Sequence, residues 1–169
     1  MKQRDADRKS RLADAAIEVL GHDGVRALTH RAVDTRAGLP QGTCSYHFPT
    51  RNALLTAALE RIAELDLQDT EGADLAEVLQ RWATSHRTRA RFMLMLDPQA
   101  RRELGEAAAR LAGGFVERAE ALTGSRQRGR LLIGLIDGLL LDELTRGTVA
   151  EAERRERIDA VHRIVATGQ

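Results

Sequence analysis

The chain has 169 residues, 43% hydrophobic and 30% charged, with three prolines and a formal net charge of +1. That balance excludes a disordered chain and a strongly basic or acidic tail protein, and 169 residues suffice for one domain or two small ones. One cysteine excludes an intramolecular disulfide framework, the charged N-terminus lacks the apolar core of a signal peptide, and no apolar run reaches membrane-spanning length, so a cytoplasmic protein without a membrane partner is expected.

Leu, Ala, Arg and Glu dominate, aromatics are only 3%, and no window alternates apolar with polar residues, so the fold is expected to be all-α. From about residue 3 to 21, Leu12, Ala15, Ala16, Val19 and Leu20 recur at helical spacing as one apolar stripe. "GHDG" at 21–24 breaks it. Thr29 then offers an N-cap for a short helix, "HRAVDTRA", which stops at Gly38, a residue free to take left-handed geometry. A second short helix must fit between Pro40 and Pro49, because Pro49 biases Phe48 away from helical backbone. Thr50 can cap the next helix, 51–67, with Leu54, Leu55, Ala58, Leu59 and Ile62 on its stripe.

After the polar break at 68–74 the helices lengthen. One is expected over 75–96, stopping at Asp97-Pro98, then others over 99–122, 127–146 and 149–166. This divides the chain into an N-terminal unit of four helices and a C-terminal bundle of four.

The stretch "THRAVDTRAGLPQGTCSYHF" has the form of a helix-turn-helix. Ala32, Val33, Ala37 and Leu39 can pack inward. The second helix then presents Gln41, Thr43, Ser45, Tyr46 and His47, nearly all hydrogen-bonding groups, on a piece too short for a core of its own. A major groove admits one such helix, with base edges within reach of its first residues. Charge agrees: residues 1–51 hold nine Lys/Arg against six Asp/Glu, while the remainder is slightly acidic.

Residues 12–59 resemble the DNA-binding domain of the TetR family of transcriptional regulators. The family pattern is met by Thr29, Val33, Ala37, Gly38, Leu39, Gly42, Thr43, Tyr46, His47, Phe48, Thr50, Arg51 and Leu54, thirteen agreements in order. The resemblance implies a three-helix DNA-binding domain over 1–50, a connecting helix 4 over 51–67, and a ligand-binding and dimerisation bundle over 68–169. By the same implication Gln41, Gly42, Ser45 and His47 face bases, Thr29, Thr43, Tyr46 and Arg51 mainly grip phosphates, and Leu39 and Phe48 are core. The implied partners are a double-stranded DNA operator, a second copy of the chain and a small-molecule effector, with no cofactor. Two departures stand out. Ser45 takes the place of a first aromatic residue, and Pro40 takes a Ser/Thr capping position, at a cost of about 1 kcal/mol in capping.

The resemblance also implies an effector pocket and a dimer made by the last two helices. For the pocket, Trp82, His86, Arg89, Phe92 and Met93, facing Leu111 and Phe115, supply apolar surface with a few orienting polar groups; the same His86 and Arg89 also suit an exposed helix end. For the dimer, Leu132, Leu135 and Leu139 with Gly134 and Gly138 form a face open to close helix approach, joined by Ile158, Val161 and Val165; an ordinary central helix is the plainer alternative. Cys44 and His47 are three apart on one helix, but a lone small cysteine is more commonly buried than nucleophilic, the five histidines lack metal-ligand spacing, and no phosphate-binding fingerprint is present. The expected function is a ligand-responsive regulator and not an enzyme, and the resemblance implies a repressor that binds a pseudo-palindromic operator as a dimer and is released by a small apolar effector. The alternative is a helical adaptor without DNA function, which requires Tyr46 and His47 to be buried.

Overall fold

The computed structural model describes residues 2–167, with side chains from 4 to 166, and every regular element among them is helical. The helices are α1 (Lys2–Asp23), α2 (His30–Ala37), α3 (Thr43–His47), α4 (Arg51–Asp69), α5 (Leu75–Ala83), α6 (His86–Leu96), α7 (Pro98–Thr123), α8 (Arg126–Arg146) and α9 (Glu151–Thr167), with a 3-10 turn at Val25–Ala27. No helix among the described residues is long and apolar enough to cross a membrane.

The starts and stops follow local chemistry. Thr29 caps α2 by accepting the Ala32 N–H at 3.1 Å, and Gly38 ends it at φ 62°. Thr50 accepts the Ala53 N–H at the start of α4. Asp74 accepts from Ala76 and Glu77 at the start of α5, and Asp97 from Gln99 and Ala100 beside Pro98.

The helix expected over 75–96 is two helices. At Thr84 the hydroxyl donates toward the carbonyls of Gln80 and Arg81, and the Ser85 N–H turns back to Trp82 at 3.1 Å, so the ladder tightens and stops. α7 also departs from a straight helix, since Gly105 sits at φ 34°, ψ −107°.

The chain forms two compact units. One comprises residues 1–68 with 86–108, and the other 69–85 with 109–169. The first is held by a single apolar cluster: Leu12, Val19 and Leu20 of α1, Val33, Ala37, Cys44, Phe48, Leu54, Leu55 and Ile62, joined by Ala90 and Leu94 of α6 and Ala100 and Leu104 of α7. α6 lies close on α1 because Gly21 has no side chain; a Cβ there would stand 2.3 Å from the His86 carbonyl oxygen. In the second unit Ala119, Leu132, Val161 and Val165 form the cluster that joins α7, α8 and α9, and α5 packs on α8 and α9. The α8–α9 turn is closed by a buried pair, Glu143 and Arg154, at 2.6 Å.

Candidate nucleic-acid interface

The site is built on α3, which has only five residues and two inward anchors. Cys44 is fully buried and Phe48 nearly so, both in the core of the first unit. Gly42 precedes them at φ 95°, where only glycine is comfortable, and a Cβ there would meet nothing within 4 Å. Its presence answers to backbone conformation rather than to space.

The outward face is polar. Gln41, Gly42, Ser45 and Tyr46 are exposed and Thr43 and His47 half-buried. Tyr46 is 80% exposed, with its ring edge-on to His47 at 5.0 Å between centroids. In a chain with so few aromatics, an unburied tyrosine fixed against a histidine is not serving the core. The Gln41 amide nitrogen lies 3.3 Å from the Thr35 hydroxyl, which ties it to α2. The hydroxyls of Thr43 and Ser45 donate to the carbonyls of Pro40, at 2.6 Å, and Gly42, at 3.1 Å, leaving their oxygens outward as acceptors. Thr29 is exposed, and capping uses only its acceptor, so its hydroxyl proton is free to donate.

Three features of the site were not legible beforehand. Asp34, 1% exposed, accepts the Gly42 N–H through Oδ2 and the Cys44 N–H through Oδ1, both at 2.8 Å. It supplies from α2 the cap that Pro40 cannot, so the capping cost expected at Pro40 is offset. Its one sequence signal is a carboxylate beside Val33 and Ala37, which becomes informative once that face of α2 is known to be buried. His30 is the second feature, placing Nε2 2.7 Å from the Phe48 carbonyl, at the other end of α3.

The third is Arg51. Its guanidinium turns inward, donating to the carbonyls of Leu28 at 2.5 Å and Val25 at 2.8 Å, with Glu103 of α7 3.7 Å away. It closes the carbonyl end of the 3-10 turn. Cys44 is likewise structural: burial, and then the neighbouring Asp34, push its thiol up to about 11, so it holds its proton and is no nucleophile at neutral pH.

The residues expected to line an effector pocket divide between the units. His86, Arg89 and Met93 lie on the exposed face of α6 in the first unit, and Phe92 is buried there beneath the Arg91 guanidinium. His86 stacks on His22 at 5.4 Å, and burial, then the His22 charge, lowers its pKa. Trp82, Leu111 and Phe115 belong to the second unit; Trp82 is buried and donates its indole N–H to Asp69 at 2.8 Å, while Leu111 and Phe115 are half-buried. Of the expected dimer residues, Leu132, Ile158, Val161 and Val165 are buried inside their own unit and Leu135 and Leu139 are half-buried. Gly134 and Gly138 are exposed, on one side of α8 with exposed Leu131 and Leu141.

A two-helix motif with an inward-anchored, outward-polar second helix, in an all-helical chain, defines a helix-turn-helix DNA-binding protein. The comparisons make the class specific. Residues 12–58 match the family described as bacterial regulatory proteins, tetR family, and residues 67–167 match the tetracyclin repressor-like C-terminal domain. The chain belongs to the TetR family of transcriptional regulators. Among solved structures it is similar to the multidrug binding protein EbrR complexed with ethidium, at 30% identity over 91% of this chain and 98% of that one, TM-score 0.71. The malachite green complex of EbrR gives 26% identity over 93% and 97%, TM-score 0.71. A member of TetR family (SCO1917) from Streptomyces coelicolor A3 gives 29% over 91% and 97%, TM-score 0.69. No curated protein matches significantly.

Proposed function

We propose that this protein is a dimeric repressor that reads a pseudo-palindromic operator through α3 and leaves it when an effector binds. The observation that carries the reading is the two-sidedness of α3: Cys44 and Phe48 are buried while Tyr46 is 80% exposed. An adaptor without DNA function would need Tyr46 and His47 both buried, whereas His47 is half-buried and Tyr46 exposed.

In this reading Gln41, Gly42, Ser45 and His47 meet bases, and Thr29, Thr43 and Tyr46 approach phosphates. Ser45, already donating to a carbonyl, accepts from a base amino group. Arg51 positions the 3-10 turn instead of reaching a phosphate, as its two carbonyl bonds support. Residues 1–50 act as the reader, 51–67 connect, and 68–169 bind effector and partner. Two copies would set their α3 helices about 34–36 Å apart, one turn of duplex. The dimer contact assigned here is the exposed side of α8, Leu131, Gly134, Gly138 and Leu141, with exposed Ile164 of α9.

The effector is an aromatic, lipophilic compound, of the kind the EbrR complexes hold. It releases DNA only by binding the non-DNA conformer more tightly.

The test is selection of bound duplexes from a random pool near physiological salt, with a Tyr46→Ala/His47→Ala arm. Recovery of a pseudo-palindrome by the native chain, lost in the double variant, is expected. A folded dimer that enriches nothing, and carries no co-purified small molecule by mass spectrometry, would sink the reading.

A further inference from the structure

A five-residue helix is far below the length that is stable alone, so the position of α3 is decided by whatever holds its ends. Cys44 and Phe48 anchor one side but leave the helix free to slide or fray. Both termini are held by α2. Asp34 takes the Gly42 and Cys44 N–H groups at 2.8 Å each, and His30 Nε2 meets the Phe48 carbonyl at 2.7 Å. His30 and Asp34 are four apart on α2, so their side chains project one above the other from the same face. Their separation of about 6 Å is close to the roughly 7.5 Å span of a five-residue helix.

We propose that His30 and Asp34 form a clamp that fixes the register of α3 against the bases, making them specificity-determining positioning residues. The proposal rests on α3 being the operator reader. Neither residue needs to touch DNA: Asp34 is 1% exposed and both of its carboxylate oxygens are engaged. The clamp also spends the two amides that could otherwise have drawn a phosphate to the start of α3. α3 therefore meets DNA through side chains, whose placement tracks the clamp directly. Thr29, Thr43 and Tyr46 approach phosphates and hold the protein on any sequence, while the clamp, by setting the register of the base-facing side chains, governs which sequence it prefers.

The experiment compares full-length wild type with Asp34→Asn, Asp34→Ala, His30→Ala and His30→Gln. It reads anisotropy on the selected operator and on a scrambled duplex, the salt slope of each, and a thermal melt. Expected is a fall of about tenfold or more in the operator-to-scrambled affinity ratio for Asp34→Ala and His30→Ala. Asp34→Asn, which keeps one acceptor, falls less. His30→Gln, which keeps an N–H donor, recovers most of the ratio. On the scrambled duplex the His30 variants keep wild-type affinity and salt slope, and the Asp34 variants, which lose a negative charge and free two amides, bind no more weakly than wild type, so the loss is confined to the operator. A purely structural role would lower the melting temperature and leave the ratio of the folded fraction unchanged.

Should Asp34→Ala fail to fold, Asp34→Asn and the His30 pair still decide the matter. Ratios within twofold of wild type in the folded variants, or equal losses on both duplexes, overturn the clamp alone. A folded wild-type dimer, free of co-purified small molecule, that selects no operator overturns the regulator reading, and the clamp with it.

Discussion

Replacing Glu143 by alanine tests how the second unit holds its last two helices. Glu143 and Arg154 are 4% and 3% exposed, and their bonds are bidentate: Nε to Oε1 at 3.1 Å and Nη2 to Oε2 at 2.6 Å. Nη2 also donates to the Val149 carbonyl at 3.1 Å, and the Val149 N–H donates to Glu143 Oε2 at 3.2 Å. The four bonds staple the turn between α8 and α9. Glu143→Ala strands a buried guanidinium and one backbone N–H, a loss of about 3–5 kcal/mol. At about 2–4 °C per kcal/mol for a chain of this size, the melting temperature should drop by about 6–20 °C. The paired change Glu143→Leu/Arg154→Met removes both charges and should restore most of that loss, since an uncompensated charge, not a missing attraction, is what destabilises the single variant. Urea unfolding of wild type, Glu143→Leu, Arg154→Met and the double variant at one fixed protein concentration measures the four corners of the cycle. If Glu143→Ala costs under about 1 kcal/mol, or if the double variant loses the sum of the singles, the reasoning fails.

Gly21→Ala should destabilise the first unit by about 1–3 kcal/mol despite the better helix propensity of alanine, because its Cβ would meet the backbone oxygen of His86 at 2.3 Å; thermal melting reads it, with Gly114→Ala, where nothing lies within 4 Å, as the control that gains stability. Gly138→Lys leaves the protomer folded, since its Cβ also meets open space, but should convert the proposed dimer to monomer by sedimentation; an unchanged dimer would move the contact elsewhere. The folded state raises the Cys44 thiol from 9.0 to about 11, so below pH 9 its contribution is complete. Above that the unfolded chain loses a proton the native chain keeps, and stability falls by about 1.4 kcal/mol per pH unit until the native thiol ionises. Cys44→Ala should flatten the unfolding free energy between pH 9 and 10.5 relative to wild type, and iodoacetamide should label native Cys44 only as fast as the chain opens.

Much of this was visible in the residues. Thr29, Gly38, Thr50 and Asp97-Pro98 mark helix ends through chemistry confined to a few neighbours, so their sequence context suffices. The outward face of α3 was readable because its hydrogen-bonding side chains stand between two prolines with no apolar partner row. The break at Thr84–Ser85 was not, because Leu75, Leu79, Trp82 and His86 keep helical spacing across it and nothing in that spacing reports a hydroxyl folding back on Gln80. The inward bonds of Arg51 were hidden for a similar reason. A cation opening a helix suits a phosphate equally well, and only the tertiary fold brings the Val25 and Leu28 carbonyls beside it. Asp34 required knowing that its helix face is buried.

The two ways of dividing this chain disagree, and the disagreement bears on control. By descent, residues 67–167 are one domain, yet 86–108 is packed into the unit that carries α3. Ala90, Leu94, Ala100 and Leu104 share a core with Leu12 and Leu54. α4 is gripped from the same segment at both ends: Asp66 is 2.9 Å from Arg87, while Asn52 donates to the Glu103 carbonyl and Arg51 faces the Glu103 carboxylate. The segment begins after the break at Thr84–Ser85, and α7 departs from helical geometry at Gly105, shortly before the segment ends at Ala108. A change in the second unit that tugs at either point therefore acts on α6 or α7 residues that are already part of the reader's core. Couplings of about 1–3 kcal/mol are typical of such regulation, comparable to altering one or two of these contacts. In the proposed effector response a shift of α6 would reach α4 through these contacts, and with it the Arg51-pinned turn that leads into α2 and its hold on α3.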